Sequence, residues 1–71
     1  MRVEIVVPAK VTEACHKLNE RLSKFAGCVA TVSAPFEAAS AERMCVVHIM
    51  GTFEQSMLAQ KRLRDFVTQY S

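Results

Sequence analysis

The segment from Arg43 to Leu63 constrains the fold more than any other part of the chain. Arg43 to Met50 is rich in β-branched and apolar residues and stops at Gly51. Thr52 follows, with Gln55 three residues on, the spacing of a capping box in which two side chains satisfy orphaned backbone N–H groups at a helix start. Beyond it, Ala59, Leu63, Phe66, Val67 and Tyr70 recur on one face of a helix from about Phe53 to Tyr70, with Lys61, Arg62 and Asp65 on the other. The chain therefore closes with a strong strand, a tight turn and an amphipathic helix.

Upstream, Arg2 to Val7 alternates, with Val3, Ile5 and Val7 on one side and Arg2, Glu4 and Val6 on the other, which reads as a half-buried strand. Pro8 cannot donate to a sheet ladder and suits the first turn of a helix, so it ends that strand. Val11, Ala14, Cys15, Leu18, Leu22 and Phe25 then form one apolar stripe, with Glu13, Lys17, Glu20, Arg21 and Lys24 around the solvent side. Gly27 is placed to end the helix in a left-handed conformation. Cys28 to Ser33 reads as a second short strand. Residues 34–42 contain a proline and no periodicity, and read as a loop.

The fold class is thus α+β, with a three-stranded antiparallel sheet in the order 1-3-2 and helices on one face. A right-handed crossover from the first strand to the second leaves room for the third between them, and that central place explains why the third strand is the most hydrophobic. Inward residues are Val3, Ile5, Val7, Cys28, Ala30, Val32, Cys45, Val47 and Ile49. The opposite face carries Val6, Val29, Met44, Val46 and Met50 beside Arg2, Glu4, Thr31 and His48. Antiparallel sheets open to water usually read polar on that side, so these five apolar residues are candidate partner-binding residues.

At 71 residues the chain is one small domain, expected to bury only about 60% of its unfolded surface. A strand directly after Met1 reads as a domain excised from a longer, multidomain protein. No apolar run reaches the length of a membrane span and no secretory leader is evident. Cys15, Cys28 and Cys45 are widely spaced, with no Cys-x-x-Cys, and each falls on the apolar side of its element. They read as buried reduced thiols of a cytoplasmic or nuclear protein, with no metal and no disulfide. His16 and His48 have no acid and nucleophile at a recognisable spacing, and no paired carboxylates or glycine-rich phosphate loop is present. The sequence implies neither an enzyme nor a cofactor.

Three pieces resemble a KH domain of the eukaryotic type (type I): Val6-Val7-Pro8 closing the first strand, Gly27 before the second, and Ile49-Met50-Gly51-Thr52 with Ala59 beyond. The resemblance covers nearly the whole chain and implies the order strand, helix, helix, strand, strand, helix. In that family a Gly-x-x-Gly loop between the first two helices grips the phosphates of single-stranded RNA. The corresponding stretch here, Cys15-His16-Lys17-Leu18-Asn19-Glu20, has no glycine, Glu20 adds a negative charge, and the chain between Pro8 and Gly27 is short. The two helices are expected to merge or to meet at a tighter turn. The resemblance then implies a degenerate KH-like module that works through a protein partner or a neighbouring KH domain, with weak RNA binding or none.

Lys17, Arg21 and Lys24 form a basic ridge at offsets of four and three, and Arg43 lies beside the variable loop. These four are the candidate nucleic-acid contacts, against the alternative of an ordinary solvated face laced with ion pairs. Lys61, Arg62 and Arg64 form a second basic cluster. The net charge of +2 is too small to argue for nucleic acid by itself. Phe36 could stack a base or tuck onto the core. Homo-oligomerisation stays open, and a second reading is a small ferredoxin-like regulatory or assembly domain unrelated to RNA.

Overall fold

The structure, a computed structural model, describes residues 1–70. Its elements in chain order are β1 (Arg2–Pro8), α1 (Ala9–Ala14), α2 (Leu18–Ala26), β2 (Val29–Val32), β3 (Phe36–Glu37), β4 (Arg43–Met50) and α3 (Phe53–Tyr70). The chain is α+β, with an antiparallel sheet and helices covering one face.

The sheet has four strands rather than three, in the order β1-β4-β2, with β3 also paired to β4. The expected three-stranded sheet of order 1-3-2 is corrected to four strands: the strand expected third is β4, lying between β1 and β2, and a further strand lies inside the stretch read as a loop. The register sets Val6 opposite Val46 and Ile5 opposite Val47 in β1–β4, Thr31 opposite His48 in β2–β4, and Phe36 opposite Met44 in β3–β4. Ser33 links β2 to β3 along one side of β4. Its N–H donates to the Val46 carbonyl at 2.9 Å, and its Oγ accepts from the Val46 N–H at 2.8 Å. A side chain thus supplies the ladder acceptor where the backbone turns away, and after Pro35 the chain rejoins β4 as β3. The return between β3 and β4 is closed by the Ala38 N–H on the Glu42 carbonyl at 2.9 Å, with Ala41 at φ 62°. No glycine marks this turn, which hid the hairpin from sequence reading.

The first helical stretch is split. Cys15 ends α1 with its N–H on the Val11 carbonyl, Lys17 takes a left-handed conformation (φ 56°, ψ 45°), and α2 starts at Leu18. Val11, Cys15, Leu18 and Leu22 are buried as the stripe implies, but Ala14 and Phe25 are exposed and Ala26 turns inward instead. The break rotates α2 relative to α1, so a single helical period cannot describe both. Gly27 ends α2 at φ 71° with its N–H on the Ser23 carbonyl at 2.8 Å.

The core joins Val7, Cys45, Val47, Ile49, Cys28 and Ala30 of the sheet side to Val11, Leu18, Leu22, Ala59, Leu63 and Phe66 of the helices. Every residue assigned inward from alternation is buried or partly buried against this cluster. The capping box is formed: the Thr52 N–H donates to Gln55 Oε1 at 2.9 Å and the Gln55 N–H to Thr52 Oγ1 at 3.2 Å. Gly51 leaves room for it, because a Cβ there would stand 2.6 Å from Gln55 Oε1 and would displace that side chain from its cap. Cys15, Cys28 and Cys45 are free and buried. No described helix is long and apolar enough to cross a membrane.

Candidate functional site

The basic ridge is built on the α1–α2 turn and α2. Lys17 Nζ lies 3.9 Å from Glu20 Oε2, both side chains well exposed, a geometry that contributes about 0–1 kcal/mol. Arg21 is not a free cation. Its guanidinium lies 4.8 Å from the Phe66 ring centroid, and Nη1 donates to Cys15 Sγ at 3.2 Å and to the Tyr70 hydroxyl at 3.4 Å. The Tyr70 hydrogen bond first, and the Cys15 sulfur second, raise the Arg21 pKa above its ordinary value. Arg21 therefore ties α2 to the end of α3.

Lys24 shares a shallow depression with Arg21, Phe25, Arg62 and Phe66. Arg62, which the sequence placed in a separate cluster, lies over both Phe25 (5.4 Å) and Phe66 (4.6 Å). Phe25 was read as core, so neither residue stood out as part of this surface. Its exposure follows from the α1–α2 break, which no residue type announces. Arg43 sits elsewhere, opposite Glu37 and in a cleft with Glu13 and Glu42. The four candidate nucleic-acid contacts do not converge on one cleft.

The helix-free face of the sheet is organised by strand register, because alternate residues of neighbouring strands share a face. Val6 faces Val46 across β1–β4, and one row further Pro8, Met44 and Phe36 lie side by side. Val6 is 54% exposed and Phe36 41%, while Met44 and Val46 are half-buried. Phe36 is therefore not tucked onto the core but extends this apolar patch. At the other end Val29, Met50 and Arg2 form a row, with Val29 63% and Met50 52% exposed. Between the two patches runs a polar row of Glu4, His48 and Thr31. Glu4 Oε1 there meets His48 Nδ1 at 3.6 Å, an ion pair whenever His48 is protonated, and Arg2 Nη2 at 3.7 Å.

The five candidate partner-binding residues thus fall into two groups, Val6, Val46 and Met44 against Val29 and Met50. The sequence missed the polar row's role as a divider, which the β1–β4 and β2–β4 registers show, and Phe36 as a member, which the Phe36–Met44 pairing shows and which the illegible β3–β4 hairpin concealed. Among the described residues, no three His, Cys, Asp or Glu side chains come together as a metal site. Compared with protein-family models, curated proteins and solved structures, the chain matches none.

Proposed function

We propose that this chain is a degenerate KH-like module, non-catalytic, that works by docking a protein surface onto the helix-free face of its sheet. The observation that carries the reading is the apolar patch of Val6, Val46, Met44 and Phe36 on that face. A domain of this size gains nothing by leaving such side chains in water, and contiguous exposed apolar surface marks interaction sites. The KH resemblance is supported by the element order, which has two helices between β1 and β2 and β3 as an addition inside the variable loop. The expected partners are a neighbouring KH domain or another protein, within the cytoplasm or nucleus.

Direct RNA gripping is the weaker activity. Where the family uses a glycine pair to let backbone approach phosphate, this chain has Cys15 buried, Lys17 in the left-handed region and Glu20 beside it. Backbone cannot come as close to phosphate past side chains as past glycine. The test is a titration with a random single-stranded RNA pool followed by amide shifts. Binding is expected in the non-specific range, ~10⁻⁴ to 10⁻⁶ M at physiological salt, taking the scale from non-specific DNA binding. Sequence-selective, sub-micromolar binding would defeat the reading.

A further inference from the structure

β1 is an edge strand, paired only with β4 among the described strands. Its hydrogen-bonding parity follows from the Met1–Gly51 pair, in which the Gly51 N–H donates to the Met1 carbonyl and the Met1 amine to the Gly51 carbonyl. Alternate residues point their backbone groups to opposite sides, so Val3, Ile5 and Val7 bond β4. The backbone groups of Arg2, Glu4 and Val6 face outward. Pro8 has the same outward parity, so its missing N–H costs the β4 ladder nothing.

Beside this edge lies a cleft of about 410 Å³ between β1 and α3, floored by Leu63 and Val67 and rimmed by Gln60 and Arg64. A second depression adjoins it along α3, where Met57 and Lys61 join Gln60 and Arg64. Met57 is 50% exposed. Lys61 and Arg64 make no ion pair among the described residues, and the acidic residues of α3, Glu54 and Asp65, line neither depression.

We propose that this edge binds an extended, acidic segment of a partner protein as an added strand. The segment's backbone pairs with Arg2, Glu4 and Val6. Its aliphatic side chains on the helix side enter the cleft over Leu63 and Val67, and its carboxylates meet Arg64 and Lys61. Edge addition of this kind takes affinity from main-chain hydrogen bonds and specificity from alternate side chains. Charge argues against a second copy as the occupant. A two-fold axis through a β1–β1 pair would set α3 beside its own copy, so that the depressions lined by Lys61 and Arg64 in both copies add like charge and offer each other no lining carboxylate. The inference goes beyond docking on the sheet face and uses different side chains.

The test uses two acetylated octapeptides of alternating valine and threonine, one with glutamates at both ends and the other with lysines, titrated into the isotope-labelled chain. The glutamate peptide should shift the amides of Arg2, Glu4 and Val6 and slow their exchange with solvent. The lysine peptide should bind about tenfold more weakly, the scale of two exposed charge pairs. Combining Lys61→Glu with Arg64→Glu should invert that preference. Val6→Pro removes one outward N–H and no β4 bond, and should abolish binding. Val46→Glu should leave it intact, which separates this site from the sheet face. Equal binding of both peptides, shifts mapping elsewhere, binding that survives Val6→Pro, or a concentration-dependent dimer through β1 would each overturn the proposal. If the proline variant does not fold, the charge inversion decides.

Discussion

Ser56 is fully buried near the start of α3, and its hydroxyl has no hydrogen-bond partner among the described residues. A buried, unsatisfied hydroxyl costs free energy that an alanine would not, so Ser56→Ala should stabilise the chain by about 1 kcal/mol. Urea unfolding checks this, and the midpoint should rise with an unchanged slope. Nothing in the sequence pointed to Ser56, because a serine one turn into a helix ordinarily reads as solvated or capping. By contrast Thr52 and Gln55 were legible, since a capping box is a local device whose partners are three residues apart. Gly27 was legible for the same reason. The contacts of Arg21 with Cys15, Phe66 and Tyr70 were not, because they join residues up to 49 positions apart.

At the scale of elements, strands were read from alternation, and the inward residues of β1, β2 and β4 followed. Sequence left the α1–α2 junction open between a merged helix and a tighter turn, and the structure has the turn: the apolar offsets suit one continuous helix, and the left-handed residue at the break is a lysine. This gives a test whose sign separates the two architectures. Lys17→Gly removes the strain of a side chain in the left-handed region and an exposed ion pair of little worth. It should stabilise the fold by on the order of 0.5 kcal/mol. In an uninterrupted helix the same change would destabilise by about 1 kcal/mol. Thermal unfolding of the variant beside the parent chain reads the difference. The β3–β4 hairpin was hidden for a related reason, since Ala41 rather than glycine holds its positive φ.

For the whole molecule, the two faces of β4 make opposite demands on adjacent residues. Val47 is fully buried between sheet and helices, while Val46 is half-buried on the helix-free face. Val47→Glu should cost on the order of 4 kcal/mol or more, because it buries an unpaired charge, and circular dichroism should show the chain largely unfolded. Val46→Glu should keep the native spectrum. Alternation made that face legible, and the β1–β4–β2 register groups its residues into patches; only the membership of Phe36 depended on β3. The central claim is that this face meets protein rather than RNA. Site-specific photocrosslinking tests it most directly, with a photoreactive amino acid at position 46 in one variant and at position 24 in another, irradiated in cells that produce the protein. The account predicts an adduct from position 46 that protease destroys and nuclease spares, and much less of it from position 24. An adduct from position 46 that nuclease removes, or none at all, would contradict it.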